Sequence, residues 1–254
     1  MLSVTDLGCA RGGCQILAGI DFQLQAGEVL AVLGTNGAGK STLLATLSGE
    51  LAYPQGTVQL AGRPLASWPA SERARRLAVL PQSSSLAFAF SVAEVVLLGR
   101  LPHATGYGED QRIVAEVMQA TDIGHLHQRS YLALSGGERQ RVHLARVLAQ
   151  IWEAAEPACL LLDEPTASLD LAHQRLILQQ ACEIARRGNA VLLVLHDLNL
   201  AARYADRLLL VDRGGVSALG TPWEVLQADR IQRVFGVDVQ VARHPQLDCP
   251  LIIS

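Results

Sequence analysis

A glycine-rich stretch, GTNGAGKST over residues 34–42, carries the strongest chemical signal in the chain. It fits the pattern G-x-x-x-x-G-K-[ST], in which glycines let backbone N–H groups approach a chain of phosphates closely. Lys40 is predicted to reach the β- and γ-phosphates as a point charge, and the hydroxyl of Ser41 is predicted to ligate Mg²⁺. An apolar run at 28–33 and a helical pattern at 42–47 supply the strand–loop–helix context for binding a nucleoside triphosphate. The residues predicted to hold the nucleotide here are Gly34, Asn36, Gly37, Gly39, Lys40, Ser41 and Thr42.

Two adjacent carboxylates, Asp163 and Glu164, follow a second apolar run at 158–162. Ligands of open α/β sheets bind at the carboxyl ends of the strands, which is where these two side chains are expected to lie. Asp163 is predicted to hold Mg²⁺, usually through water, beside Ser41. Glu164 is predicted to polarise a water in line with the γ-phosphate, as a general base or as a water orienter. A strand that merely enters solvent through two acids is the alternative, which the phosphate loop disfavours.

The stretch LSGGERQ at 134–140 combines a helix start with unusual glycines. Ser135 and Glu138 have the spacing of a capping box, and the helix after them is strongly periodic. Capping does not account for Gly136 and Gly137, since each costs up to about 1 kcal/mol relative to alanine in a helix. Bare backbone at a helix N-terminus suits an approaching anion. Such a second phosphate-binding helix end is explained if the ligand is shared between two copies of the chain.

The elements that must position these motifs follow an alternating strand and helix pattern, which predicts an α/β fold with a parallel sheet. Two or three edge-like strands are expected in 1–24, and a helix with two short strands (237–241 and 250–253) after residue 221. Between these ends, strands are predicted at 28–33, 55–60, 77–80, 158–162 and 190–195, and helices at 42–47, 67–76, 111–120, 171–187 and 198–204.

The region 91–151 is mostly helical by pattern and begins with a capping box at Ser91 and Glu94. It is predicted to be a helical subdomain that carries the LSGGERQ stretch. The segments 1–90 and 152–254 are predicted to form the nucleotide-binding core, so that 1–254 is one domain.

Composition excludes several classes of function. A net charge of −3 and a pI near 6.2 argue against nucleic acid as the main partner, because phosphate contacts need a basic surface. Five cysteines without a C-x-x-C pair argue against a disulfide framework or zinc ribbon, and favour a reducing compartment. Neither a signal peptide nor an apolar run of about 20 residues is present. The chain is therefore expected to be soluble and to reach a membrane only through a partner.

With these motifs in this order, the chain resembles the ATP-binding subunits of ABC transporters over almost its whole length. Residues 34–42 match the family's Walker A loop, 134–140 its signature motif, and 160–164 its Walker B strand with the adjacent glutamate. The resemblance implies a P-loop fold with a RecA-like parallel core, an N-terminal antiparallel β subdomain and an inserted helical subdomain.

Three further positions are assigned by the resemblance. Gln82 matches the Q-loop glutamine, which senses magnesium and the membrane partner and is counted here with the catalytic and the metal-binding residues. The stretch 168–170, ending in Asp170, matches the D-loop, and His196 matches the switch histidine that contacts the γ-phosphate. Each of these residues would be a weak signal alone.

The family implies that two chains pack head to tail around two ATP molecules. Each site would take its Walker motifs from one chain and Ser135, Gly136 and Gly137 from the other, and hydrolysis with Glu164 and His196 would let the chains part.

A membrane permease is expected to dock in a groove beside Gln82 and the helical subdomain, where Phe88 and Phe90 are placed, with packing inside that subdomain as an equal alternative. A periplasmic or surface substrate-binding protein would act only indirectly, and the chain would lie on the cytoplasmic face of the inner membrane.

One departure from the family concerns adenine. The family stacks an N-terminal aromatic residue on the base, whereas residues 8–13 read GCARGG. Arg11 is the candidate replacement, because a guanidinium plane can stack on a ring. The other alternative is a loosely held base.

The sub-family is indicated by residues 90–103, supported by 149–152, 169–174 and 241–245. These stretches resemble importers for iron chelates, haem and cobalamin, and most closely the haemin-import ATPases. Histidines such as His103 and His127 are not predicted to ligate haem, since an ATPase subunit is not expected to meet the cargo. The alternatives are an importer for ferric siderophore or cobalamin, and an ATPase without a permease, such as an iron–sulfur assembly component. A pure nucleotide sensor is disfavoured by the presence of Glu164 and His196.

Overall fold

The computed structural model describes residues 1–82, 86–167 and 169–254. Four short 3₁₀ turns (Leu65–Ser67, Leu98–Arg100, Gly124–Leu126 and Tyr131–Ala133) link some of the regular elements. In chain order the elements are β1 (Leu2–Arg11), β2 (Cys14–Leu24), β3 (Val29–Leu33), α1 (Lys40–Ser48), β4 (Gln55–Leu60), β5 (Arg63–Pro64), α2 (Ala70–Arg76), β6 (Leu77–Leu80), α3 (Val92–Leu97), α4 (Tyr107–Ala120), α5 (Gly136–Ile151), β7 (Cys159–Asp163), α6 (Leu171–Arg186), β8 (Ala190–Val194), α7 (Leu198–Tyr204), β9 (Arg207–Asp212), β10 (Gly215–Gly220), α8 (Pro222–Val225), α9 (Ala228–Phe235), β11 (Gln240–Arg243) and β12 (Pro250–Ile253).

A six-stranded sheet in the order β10-β9-β3-β8-β7-β6 forms the centre of the molecule. Five of its strands run parallel, and only the edge strand β10 is antiparallel to its neighbour. Every residue of β3, β7 and β8 is buried, as expected for strands covered on both faces. Because parallel strands end at the same edge, the segments that follow β3, β6, β7 and β8 are brought together there. The predicted α/β fold with a parallel core is confirmed.

Side-chain alternation divides the core between the two faces of this sheet. In β3, Val29, Ala31 and Leu33 join an apolar cluster with the helices, whereas Leu30 and Val32 join a second cluster. The second cluster is shared with α1 and with an antiparallel sheet in the order β2-β1-β4-β5. This N-terminal sheet, also expected from the family resemblance, lies beside the beginning of α1.

The helices α3, α4 and α5 occupy the region between residues 92 and 151 and pack on one another. Both predicted capping boxes are present: Ser91 with Glu94 at the start of α3, and Ser135 with Glu138 at the start of α5. Each serine hydroxyl accepts from the backbone N–H of its glutamate, whose carboxylate accepts from the backbone N–H of the serine. Local sequence therefore determines where these two helices begin.

Several boundaries differ from the sequence prediction. The helix expected at 111–120 begins at Tyr107, and the strand expected at 237–241 is Gln240–Arg243. Two helices, not one, precede that strand. Strands β9 and β10 were not predicted, although an apolar run followed by a D-R-G-G turn is a hairpin signal. Arg213 and Gly214 between them have φ of 47° and 80°, the backbone of a tight hairpin turn.

Within the described residues, no helix is both long and apolar enough to cross a lipid bilayer.

Candidate active site

The phosphate loop joins β3 to α1, and neighbouring atoms of the protein leave no room for a side chain at two of its glycines. A Cβ on Gly34 would lie 2.3 Å from the carbonyl oxygen of Val211, and a Cβ on Gly39 would lie 2.8 Å from Leu17. Gly39 is the N-cap of α1 with φ of 103°, and no side chain caps the helix. The first N–H groups of α1 are thus left without a capping side chain, which is the arrangement that binds phosphate.

Lys40 is the only lysine in the chain, and it lies folded against this loop. Its ammonium donates to the carbonyl oxygens of Gly34 and Thr35, both at 2.9 Å, and the residue is only 6% exposed. Burial lowers the pKa of Lys40, while the charges of Glu164 and Asp163 raise it and offset part of that shift. The two carbonyls thus satisfy a buried cation within the loop itself.

Asp163 ends β7 and is 4% exposed. Within the described residues its Oδ1 atom has no hydrogen-bond partner. Burial and the neighbouring Glu164 raise the pKa of Asp163, against the lowering effect of the Ser41 hydroxyl and of Lys40. A buried carboxylate oxygen without a partner costs free energy unless a ligand satisfies it.

This carboxylate fits Mg²⁺. The hydroxyl of Ser41 lies beside Asp163, and the amide of Gln82 lines the cavity that Ser41 also lines. Oxygen donors of these kinds suit Mg²⁺, which is held by one or two carboxylates together with substrate phosphates and water. The described part of the chain has no cluster of three His, Cys, Asp or Glu side chains, the kind of cage that would bind a metal without a nucleotide.

Glu164 receives hydrogen bonds from side chains that follow two other strands. Gln82, after β6, donates its Nε2 to Glu164 at 3.0 Å, and Nε2 of His196, after β8, lies 2.5 Å from the other carboxylate oxygen. Glu164 itself has φ of 48°, a left-handed conformation that a side-chain residue adopts at an energetic cost. Its N–H donates to the carbonyl of Val194 at 3.1 Å, which anchors this backbone to β8. The structure thus brings the three predicted catalytic side chains together.

A cavity of about 370 Å³ joins the phosphate loop to Gln82 and Glu164, whereas Asp163 and His196 do not line it. Arg11 reaches it from the N-terminal sheet, as the adenine hypothesis requires. Ile16 on β2 was not predicted, because a single apolar residue within a strand carries no functional signal of its own. The lining residues are Arg11, Ile16, Asn36, Gly37, Gly39, Lys40, Ser41, Thr42, Gln82 and Glu164.

The signature residues Ser135, Gly136 and Gly137 do not line this cavity. They lie at the start of α5, where Ser135 and Gly136 are exposed and a Cβ on Gly136 would meet no atom within 4 Å. Asp170 is also absent from the lining: its carboxylate caps α6 by accepting from the backbone N–H of His173 at 2.9 Å. Ser168, the first residue of the predicted D-loop, lies outside the described residues. One chain therefore holds these predicted nucleotide-binding groups apart from its phosphate loop.

The two phenylalanines predicted at a docking groove differ in exposure. Phe88 is 69% exposed, whereas Phe90 is partly buried against the cluster that includes the helices. Their ring centroids are 6.1 Å apart. Phe88 thus remains available to a partner, and Phe90 has a packing role.

Comparison with known proteins places this geometry in context. Residues 17–167 match the profile described as ABC transporter. The chain is 59% identical, over all of both chains, to the Hemin import ATP-binding protein HmuV of Pseudomonas fluorescens Pf-5. It is 58% identical, again over both full lengths, to the protein of the same name in Pseudomonas aeruginosa PAO1. Among solved structures, a chain of a metal-chelate-type ABC transporter in an inward-facing conformation superposes with a TM-score of 0.81 at 30% identity, covering 99% of this chain and 96% of that one.

Proposed function

This chain belongs to the ABC transporter family, and from that premise we propose that it is the ATP-hydrolysing subunit that drives haemin uptake through a membrane permease. The activity is supported by Glu164, held between Gln82 and His196 at the cavity that the phosphate loop lines. The cargo is supported by 59% identity, over the full length, to a protein named for hemin import.

ATP binding exchanges one set of contacts for another. The phosphates take the free N–H groups at the start of α1, and Lys40 leaves the carbonyls of Gly34 and Thr35 for phosphate oxygens. Mg²⁺, when bound by Ser41, Asp163 and Gln82, neutralises part of the charge that develops on the phosphates.

Glu164 then acts on the attacking water. Its carboxylate orients the water or accepts its proton, and His196 exchanges its contact with Glu164 for one with the γ-phosphate. In the described structure, His196 and Gln82 both occupy the Glu164 carboxylate, so this arrangement is a resting one.

The nucleotide site is completed by a second copy of the chain. A head-to-tail dimer would bring Ser135, Gly136 and Gly137 of one copy to the ATP on the other copy, and would put Asp170 at the same junction. This accounts for an exposed Gly136 and a half-buried Gly137 at a helix start that the single chain does not use.

The permease is proposed to bind beside Gln82 and the helical region 91–151, next to the exposed Phe88. We treat that region as a subdomain inserted between 1–90 and 152–254. Binding there would hold the chain at the cytoplasmic face of the inner membrane, with a substrate-binding protein acting across the permease.

The test is affinity purification of the tagged chain from solubilised membranes, followed by ATPase assays of the recovered complex. We expect a multi-helix permease to copurify and a haem-loaded binding protein to stimulate turnover. The matched control is the Glu164→Gln complex, which should recover the same partners without stimulated turnover.

Two results would overturn the proposal in different ways. Stimulation by a ferric siderophore or cobalamin, but not by haem, would leave the importer and replace the cargo. Recovery of cluster-assembly partners with no permease would leave only the ATPase.

A further inference from the structure

The last two strands of the chain form a small sheet of their own beside α7. β11 and β12 pair in antiparallel register, from Gln240 opposite Ile253 to Arg243 opposite Pro250. We refer to residues 240–253 as the tail hairpin. β12 packs against α7, and the partly buried Val241 and Ile252 contact the apolar cluster that includes the helices. The tail hairpin therefore covers the helix that follows His196.

The side chain of Asn199 joins α7 to the tail hairpin through two hydrogen bonds to one residue. Its Nδ2 donates to the carbonyl oxygen of Ile252 at 3.0 Å, and its Oδ1 accepts from the backbone N–H of Ile252 at 2.8 Å. A neighbouring antiparallel strand would satisfy both backbone groups of a residue in the same way. The amide thus takes the place of a strand at the edge of β12, where backbone groups would otherwise lack a partner.

Asn199 is also part of the first turn of α7, next to His196 in the chain. Asp197 is the N-cap of this helix, and its Oδ1 accepts from the backbone N–H of Asn199 at 2.8 Å and of Leu200 at 2.9 Å. The capped turn fixes the backbone that leaves His196. Any movement of the tail hairpin away from α7 would therefore release a turn that begins one residue after His196.

The contacts of His196 itself leave its position dependent on this turn. Its side chain is 46% exposed, so packing against neighbours does not fix it. On the preceding side the chain is anchored to the sheet, because the N–H of Leu195 donates to the carbonyl of Val32 at 3.1 Å. On the following side the anchor is the first turn of α7, which Asn199 ties to the tail hairpin.

We propose that Asn199 is a positioning residue for ATP hydrolysis, acting through His196. By tying the first turn of α7 to the tail hairpin, it keeps the backbone of His196 in place while the imidazole changes its contact from Glu164 to the γ-phosphate. A displacement of about 1 Å at a group that contacts the reacting atoms can cost about 100-fold in rate. This inference rests on the roles proposed above for His196 and Glu164.

The first test is Asn199→Ala, assayed for ATP binding and for steady-state turnover. Alanine forms helix better than asparagine, so this change removes the two bonds to the tail hairpin without weakening α7 itself. Two hydrogen bonds of ordinary net strength shift a conformational equilibrium by at least about fivefold, and kcat should fall by at least that factor. ATP affinity should stay unchanged, because the phosphate loop is not involved.

Two further variants make the comparison specific. Asn199→Asp keeps an acceptor for the N–H of Ile252 but loses the donor to its carbonyl, and a negative charge suits the start of a helix. Its kcat should therefore lie between those of the wild type and Asn199→Ala. Arg243→Gln is the matched control, since it removes an exposed ion pair with Asp248 within the tail hairpin and should turn over ATP as the wild type does.

Two measurements separate positioning of His196 from a general loss of stability. In a His196→Ala chain, adding Asn199→Ala should cause no further loss of turnover, because residues that act through one another are not additive. Amide hydrogen exchange followed by mass spectrometry should be faster at 195–204 in Asn199→Ala and unchanged at 34–42.

The outcomes also distinguish this inference from the proposed function. Wild-type kcat in Asn199→Ala, an equal further loss in the His196→Ala chain, or unchanged exchange at 195–204 would each overturn the positioning role alone. A wild-type rate in His196→Ala would instead refute the role proposed for His196, and this inference with it.

Discussion

Two helix starts in this molecule look alike in sequence and differ in structure. α1 and α5 each begin with glycine near a hydroxyl side chain. At α1 the N-cap is Gly39 with no side-chain cap, and Lys40, Asp163 and Glu164 surround the helix end. At α5 the N-cap is Ser135, whose capping box with Glu138 is complete.

The difference shows what each end needs from elsewhere. The start of α1 holds a buried cation and, within the described residues, a carboxylate oxygen without a partner, which a nucleotide with its metal ion would satisfy. At the start of α5 the capping box satisfies the N–H groups of Ser135 and Glu138, and Gly136 is left exposed. The start of α1 therefore has polar groups that a ligand would satisfy. The start of α5 is capped and exposed, so it can contact another chain.

Lys40→Ala should have the largest effect. This substitution removes the ammonium that is proposed to leave the loop carbonyls and bind phosphate oxygens. Each lost charge-assisted hydrogen bond costs about 1.5–3 kcal/mol of binding free energy. Two such bonds predict a loss of ATP affinity of at least about 100-fold by calorimetry. Ser135→Ala is the control at the other helix start and should leave ATP affinity of the single chain unchanged. Equal losses in the two variants would remove the distinction between the two helix starts.

The single lysine permits an independent check of the same assignment. An amine-selective reagent can modify only Lys40 and the chain's amino terminus. ATP should protect Lys40 alone, as measured by peptide mass spectrometry. Labelling of Lys40 that ATP does not slow would place the phosphates elsewhere.

Glu164→Gln should separate ATP binding from hydrolysis. The amide keeps the shape and can still accept one hydrogen bond, but it cannot take a proton from water, and general base catalysis contributes about 10²–10⁴-fold. Turnover should fall by about that factor while ATP affinity is retained and ATP-bound dimers accumulate, as seen by light scattering. The matched control is Glu156→Gln, an exposed carboxylate outside the cavity. Wild-type turnover in Glu164→Gln would refute the role assigned to this glutamate.

Gly136→Ala addresses the start of α5 directly. A Cβ here meets nothing within 4 Å in the single chain, so alanine should raise the free energy of unfolding by up to about 1 kcal/mol. If a second chain's ATP sits on this backbone, the added methyl group should instead lower ATP turnover by at least about tenfold, or 1.4 kcal/mol of barrier. Chemical denaturation and an ATPase assay measure the two effects on one preparation.

Mixed dimers sharpen the result. A Lys40→Ala chain paired with a Gly136→Ala chain should retain at most one working composite site. The altered phosphate loop and the altered Gly136 meet at the same site, and the other site keeps the wild-type residue at both positions. Full activity of this mixture, or full activity of Gly136→Ala alone, would contradict the shared-site arrangement.

Local patterns predicted much of this architecture. β6 and α7 have the predicted bounds, since a compact apolar run and an N-cap aspartate, Asp197, mark them clearly. The two predicted capping boxes were readable for the same reason, whereas the third, Thr221 with Glu224 at the start of α8, was not predicted. The hairpin β9–β10 was missed although its turn residues carry a signal, and the start of α4 was placed late because Gly106 and Gly108 suggested a longer break.

The site was less accessible from the sequence. The meeting of Gln82, Glu164 and His196 depends on strand order in the sheet, and only the family resemblance indicated it. Asp170 shows the opposite problem: an aspartate before a periodic helix is also a capping signal, and in the single chain that role is the one it fills. Whether Asp170 also contacts nucleotide depends on the position of a second chain. No sequence pattern within one chain gives that position.

The smallest effects should be on stability, with opposite signs at the two helix starts. The raised pKa of Asp163 means that its ionised form opposes folding once the pH exceeds the unfolded value of about 3.9. Asp163→Asn should therefore raise the melting temperature of the nucleotide-free chain near pH 7, by about 2–4 °C per kcal/mol gained. Glu138→Ala should lower it, since a lost capping interaction costs about 1 kcal/mol.

Measuring stability at decreasing pH tests the predicted direction of each stability change separately. The backbone N–H of Ser135 lowers the pKa of Glu138, so its stabilisation is present above the unfolded pKa and is lost as the pH falls through the folded one. In acid the melting temperatures of both variants should therefore approach that of the wild type. The melting temperature of Asp163→Asn should approach it from higher values and that of Glu138→Ala from lower values. Mg²⁺ with ATP should then stabilise the wild type more than Asp163→Asn, because only the wild type offers a carboxylate to the cation. A nucleotide-free Asp163→Asn chain that is less stable than the wild type at pH 7 would mean that this carboxylate stabilises the fold. The start of α1 would then not differ from the start of α5 in giving up stability for ligand binding.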